Sequence, residues 1–346
     1  IKPHNTIRHI ARNSHVGIHK AEFVKQMVNE NFHPGHYNSS AIIEKFPNWE
    51  NQKLKEAVYS ADLLVDISTT LDVPRELSLV DNIARSCSLF VTPSGKGSVL
   101  MIEDEDRKIR LDSLEAQYYR AVINNEWGEG HLSGHSGNLW VGAGCRDISA
   151  VISYETIQLS AAILARQLRI QNEKPDSLIR VWALDDNTGS FLCETVFPES
   201  ATYTEESGWK VVWDNQIKEK LKSLRYSSLP SETGGIILGY VDHKIRSIFV
   251  VDILPAPYDS DFDQTGFTRG VSGLREILDD VAARTANIVG YIGEWHSHPA
   301  FSSANPSTLD WELVRTISKI LANEGQPALM VIVGSAGDIT LTVKEY

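Results

Sequence analysis

Two histidines one residue apart, His296 and His298, stand in the stretch GEWHSHPAFSSANPSTLDWE (293–312), followed by Ser307 and Asp310. On a strand, side chains alternate between faces, so the two imidazoles point the same way and can share one cation. Pro299 ends that strand, and a loop rich in Ser, Asn and Pro leads to Ser307. Ser307 suits a helix N-cap, which puts Asp310 in the first turn, from where the loop can fold it back towards the histidines. Two His and one carboxylate make a three-ligand set with a fourth position left for water, the arrangement of a catalytic rather than a structural zinc site. Nitrogen and oxygen donors of this kind suit zinc better than magnesium or calcium. Zinc held this way lowers the pKa of a bound water to about 7. The same residues also have a reading without metal, as a strand-end His pair and a Ser–Asp helix cap. Glu294 shares the strand face of the histidines and is read as a carboxylate that orients a ligand imidazole.

The elements that must position these groups follow from periodicity. In the last part of the chain, DNQIKEKLKSLRY is helical, and GGIILGYV and SIFVVDIL are strands. GLREILDDVAARTA is helical, IVGYIGEWHSH is a strand, STLDWELVRTISKILANEG is a capped helix, and PALMVIVG and DITLTVKEY are closing strands. Earlier, HKAEFVKQMVNEN and ELSLVDNIARS are helical and ADLLVDIS and SLFVTPS are short strands. That alternation, up to about residue 170, predicts a parallel sheet with covering helices. ISYETIQLSAAILARQLRI reads as a buried helix, LIRVWAL and SFLCETVF flank the hairpin signal DDNTG, and PESATYTEESG reads as a polar linker. The expected fold class is α/β in two domains, 1–200 and 201–346.

The 346 residues are 42% hydrophobic and 23% charged, the balance of a soluble globular protein with room for two cores. Net charge is -12 and no run of clustered Lys and Arg occurs, which argues against nucleic acid as a partner. No apolar run is long enough for a membrane span and no signal-peptide pattern opens the sequence. Three widely spaced cysteines, Cys87, Cys145 and Cys193, imply no disulfide framework, which fits a reducing, cytoplasmic compartment. The opening IKPHNTIRH has no Met and reads as a fragment or a processed chain.

SETGGIILG, with Glu232 ahead of Gly234 and Gly235, and HSHP…STLD together resemble the JAMM (JAB/MPN) zinc metallopeptidases over about 201–346. The resemblance implies an α/β domain with a mixed curved sheet. It makes His296, His298 and Asp310 the zinc ligands. Glu232 becomes the general base that passes a proton from water to the leaving amine, and Ser307 a stabiliser of the oxyanion. Eleven residues separate His298 from Asp310, one more than the family usually has; the Ser-to-Asp spacing is kept, so the extra residue falls in loop 300–306. PAPYDSDFDQTGFTRG (255–270) is a candidate substrate loop, with Arg269 as a solvated cation or a contact for an acidic partner.

The front portion resembles the later part of ThiF-like ubiquitin-activating domains, a Rossmann-type fold, over roughly 1–170. PHNTIRH supplies Asn5 and Arg8 of a nucleotide-reaching Asn-x-x-Arg, and VGIHKAE supplies Lys20 of a Val-Gly-x-x-Lys. The family's glycine-rich phosphate turn would precede these motifs, so binding of ATP requires a further N-terminal segment to complete the site. Where the family has an Asp for magnesium this strand continues to Thr69, and Asp66 aligns elsewhere. Cys145 in GAGCRDISA precedes the long helix; a helix N-terminus and Arg146 would favour a thiolate, as a thioester-forming cysteine needs, whereas the bland reading is a small buried hydrophobe. His33, His36, His131 and His135 read as solvated loop residues.

The pairing resembles bacterial ubiquitin-like modification systems. It implies zinc-dependent cleavage of a peptide or isopeptide bond after the C-terminal tail of a ubiquitin-like protein. A conjugating-enzyme-like protein is a further expected partner, and a homodimer is compatible because activating domains of this kind often pair. The rivals are an activating enzyme whose peptidase half only matures its carrier, a non-catalytic scaffold, and a small-molecule metallohydrolase.

Overall fold

The computed structural model describes residues 1–346 apart from 4–5, 7–9, 34–36, 69, 134–138, 141–147, 150–151, 186 and 264–265. By their contacts these residues form two units, 1–111 with 134–195 and 112–133 with 196–346.

In chain order the first half runs α1 (Lys20–Asn31), α2 (Gln52–Tyr59), β1 (Leu64–Asp66), α3 (Asp72–Leu79), β2 (Ser86–Val91) and β3 (Gly97–Ile102). Helix α4 (Leu111–Asn124), short strands β4 (Leu139–Trp140) and β5 (Ile148–Ser149), α5 (Tyr154–Asn172), β6 (Leu178–Leu184) and β7 (Phe191–Val196) follow. Almost all of α4 lies in the second unit. The first unit's main sheet has the order β1-β2-β3-β6-β7. β1 and β2 are parallel, but β2–β3 and β3–β6 are antiparallel, so the parallel sheet expected here is corrected to a mixed one. The cause is the turn TPSGK (92–96), in which Thr92 N donates to Gly97 O. A link that short can only send the chain back antiparallel, because a parallel return needs a dozen residues or more. Cys87, Leu89, Leu100, Ile102 and Trp182 from the sheet bury against Leu164 of α5, whose first turn is capped by Ser153.

The second half runs β8 (Ala201–Glu206), β9 (Trp209–Asp214), α6 (Asn215–Ser228), β10 (Gly234–Asp242), β11 (Ser247–Pro255), β12 (Asp261–Phe262), β13 (Phe267–Thr268), α7 (Leu274–Arg284), β14 (Gly290–Ser297), α8 (Thr308–Leu321), β15 (Ala328–Val333) and β16 (Ile339–Lys344). Seven strands form one mixed sheet in the order β16-β15-β14-β10-β11-β9-β8. β14 lies in it parallel to β15 and antiparallel to β10. The segment expected as a polar linker is the edge strand β8. It pairs antiparallel with β9 through a two-residue turn in which Ser207 (φ 51) and Gly208 (φ 77) are both left-handed. That turn chemistry is a hairpin signal, and an edge strand tolerates the polar run Thr-Tyr-Thr-Glu-Glu.

Alternation along β14 sorts its side chains. Trp295 enters a core with Trp209, Ile217 and Leu221 of α6, and Val331 of β15. Met330 and Ile332 pack on the other side against Val314, Ile317 and Leu321 of α8. Glu294 and His296 are in register with Met330 and Ile332, so they face the α8 side. Among the described residues no helix is long and apolar enough to cross a membrane.

Candidate metal centre

Three elements bring the chemistry together: the end of β14, the head of β10 and the first turn of α8. Across the β10–β14 pair, Gly234 is in register with His296 and Gly235 with Trp295. Beyond the ladder Ser297 N donates to Thr233 O at 2.7 Å and Ser297 Oγ accepts from Thr233 N at 3.1 Å. Glu232 is therefore held across from the histidines. Gly234 has a steric reason to lack a side chain, since a Cβ there would stand 2.3 Å from the Phe267 ring and 2.5 Å from the Trp295 carbonyl.

Asp310 arrives through a reciprocal cap. Ser307 Oγ accepts from Asp310 N at 3.3 Å, and Asp310 Oδ2 accepts from Ser307 N at 2.6 Å. The same bonds that start α8 orient its carboxylate. Asp310 Oδ1 lies 3.0 Å from His296 Nε2 and Oδ2 lies 3.5 Å from His298 Nε2. The two rings sit 5.4 Å apart by centroids, and one donor atom from each of the three residues falls within 4.8 Å of the others. His298 Nδ1 is 2.6 Å from the Ser303 carbonyl, which fixes that ring with Nε2 towards Asp310. His296 Nε2 is buried and makes no hydrogen bond, although Asp310 Oδ1 lies 3.0 Å away. A buried ring nitrogen without a partner beside a carboxylate and a second imidazole is the donor set a divalent metal ion fits.

These groups line a cavity of about 880 Å³, walled also by Phe262, Phe267, Arg269 and Leu309. Burial pushes the Glu232 carboxyl up, against the lowering pull of His296 and His298. Burial also works to raise Asp310, but the close approach of the two imidazoles and the hydrogen bond from Ser307 N–H outweigh it and hold the carboxyl well below its usual range. The contact with Asp310 raises His298, opposed by burial.

The structure gathers His296, His298, Asp310, Glu232 and Ser307 on this one cavity. Glu294 lines it too, and its hydrogen bonds run to other groups than the imidazoles. Its Oε1 accepts from Arg269 at 2.7 Å and from Tyr291 OH at 3.1 Å, and no imidazole is among its bonds. Strand alternation puts it on the right face, yet the loop cation reaches it first. Arg269 is thus an internal ion-pair partner rather than a solvated one. The stretch 255–270 includes the β12–β13 hairpin, and Asp263 O accepts from Glu232 N at 2.9 Å. Sequence reasoning missed Arg225, which donates to the carbonyls of His298 and Pro299.

Elsewhere, Lys20 is exposed as the first residue of α1. Asn5, Arg8 and Cys145 lie outside the described residues, as do His36, His135 and Thr69. Asp66 is buried and accepts from Ser68 N and Ser88 Oγ. His131 is corrected: it is buried, 2.9 Å from Tyr118 OH, and burial lowers its pKa to about 4.

The fold and the site define a JAB-type α/β domain, and residues 215–344 match the prokaryotic homologs of the JAB domain. A CD-NTase/cGAS isopeptidase of Enterobacter hormaechei subsp. hoffmannii is 33% identical over 153 residues, 43% of this chain and 78% of that protein. Its counterpart from Escherichia coli is 27% identical over 125 residues, 36% of this chain and 76% of that protein. A solution structure from Desulfitobacterium hafniense is similar at 21% identity and TM-score 0.27, covering 38% of this chain and 86% of its own. The chain belongs to the prokaryotic JAB-domain family that includes these isopeptidases.

Proposed function

We infer that this chain is a zinc-dependent isopeptidase that cuts after the C-terminal tail of a ubiquitin-like protein. One observation carries the reading: His296, His298, Asp310 and Glu232 share a single cavity. Zinc, when held by the first three, supplies Lewis-acid activation of water and of a carbonyl. Glu232 takes the proton of the attacking water and delivers it to the departing amine, and burial raises its pKa, which strengthens it as a base. Ser307 Oγ accepts from Asp310 N, so its own O–H remains to donate to a developing oxyanion. The β12–β13 hairpin borders the cavity, where an extended tail can run along it.

The two relatives are named CD-NTase/cGAS isopeptidases, which supports a conjugate on a CD-NTase/cGAS-type protein as the substrate of this chain. The test is incubation of tail-extended ubiquitin-like precursors and of such conjugates with zinc-loaded protein, with and without a chelator, read by intact mass. Release of the modifier that the chelator stops is expected; no release from any of them removes the reading.

The ThiF-like motifs of the first half extend the proposal to activation of the same carrier, with Lys20 exposed at the head of α1. Carrier-dependent exchange of ATP and pyrophosphate tests that extension separately.

A further inference from the structure

Helix α6 buries Ile217 and Leu221, and the next position of that four-residue stripe is 225. The pattern calls for an apolar side chain there. The chain instead has Arg225, only 4% exposed, and no carboxylate pairs with it among the described residues. A buried guanidinium without a counter-charge is a departure from a local rule, and such departures collect at functional sites.

Its bonds say what it does. Nε donates to His298 O at 3.2 Å and one Nη donates to Pro299 O at 3.0 Å. Pro299 has no amide proton, so at this point the backbone lacks a donor of its own. One edge of the guanidinium fork replaces it and takes two successive carbonyls at once, which a lysine cannot do with the same geometry. His298 N donates to Val333 O at 2.9 Å, and His298 Nδ1 is held by Ser303 O at 2.6 Å. The amide, the carbonyl and the far ring nitrogen of one metal-site residue are therefore each fixed by a different element. Its Nε2 is left facing Asp310.

We propose that Arg225 is a positioning residue for the metal centre, setting the backbone from which His298 presents Nε2. The proposal rests on the metal part of the reading above and not on cleavage. The test uses the full chain with metal alone: zinc affinity by chelator competition, and the visible absorption of the cobalt(II) form, for wild type, Arg225→Met and Arg225→Lys. Loss of an outer contact of this kind weakens metal binding roughly 10–100-fold. Arg225→Met is expected to show that loss with an altered cobalt spectrum, and Arg225→Lys, which keeps the charge without the fork, a smaller one. Wild-type affinity and spectrum in either folded variant would overturn the proposal; if the Met variant fails to fold, the Lys variant decides. Wild-type protein that takes up neither ion removes the metal reading itself, which is a different result.

Discussion

Two buried ionic clusters, one in each unit, differ in what their polar atoms face. In the first unit Glu103 is fully buried and accepts from Ser86 N at 2.8 Å, Leu111 N at 3.0 Å and Arg107 Nε at 2.6 Å. Arg107 completes its fork on the carbonyls of Val80 and Leu77. Every partner is internal, and the cluster ties loops to a sheet. In the second unit Asp310, His296 and His298 converge, yet a buried ring nitrogen stays without a hydrogen bond. Charges answered by each other and by backbone groups mark a structural cluster, and two imidazoles and a carboxylate converging around an unbonded ring nitrogen mark one that can take something from outside.

The largest expected effect comes from the open side. Glu232→Gln keeps the shape of the wall and removes the proposed base; turnover should fall about 10²–10⁴-fold with metal content unchanged. Near-normal turnover on a cleaved substrate, with full metal occupancy, would show that Glu232 is not the base. In the closed cluster, Glu103→Gln leaves Arg107 buried without its counter-charge and should cost about 3–5 kcal/mol of stability, measured by denaturant unfolding. A loss below about 1 kcal/mol would show that closure is not what holds the first unit there.

A buried histidine, His131 of the second unit, sharpens the contrast. Its folded pKa of about 4 lies below the ordinary 6.5, so the unfolded chain takes up the proton first as pH falls. The stability it contributes is complete above 6.5 and disappears progressively down to about 4, amounting to roughly 3 kcal/mol. His131→Phe should flatten the stability profile of that window; an unaltered slope would assign the acid sensitivity to other groups. The smallest effect is expected from Ser307→Ala, a loss of about 1 kcal/mol from the missing cap, read by thermal unfolding of metal-free protein.

What could be read from the chain beforehand was what lies close together along it. His296, His298, Ser307 and Asp310 fall within fifteen residues, and strand alternation plus a helix cap suffices to bring them together. Glu232 needed a resemblance, because its place depends on β10 pairing antiparallel with β14. Arg225 and the Arg269–Glu294 pair were hidden for a related reason: their partners are 73 and 25 residues away. The mixed sheet of the first unit was misjudged where a short turn should have outweighed the alternation of helices and strands. β8 was missed because its edge position lets it look like a linker. The assignment of most of α4 to the second unit rests on bonds such as Arg120 to Asp214, 94 residues apart, which no local pattern announces.

One carboxylate both begins a helix and is a proposed ligand of the metal ion, so under that proposal occupancy and fraying at Ser307–Asp310 are thermodynamically tied. Amide protons of that opening turn should therefore act as a built-in gauge, exchanging more slowly as the protein fills with zinc. On the proposed ligation, chelation should register as a local loosening at the head of α8 rather than a silent removal of a cofactor.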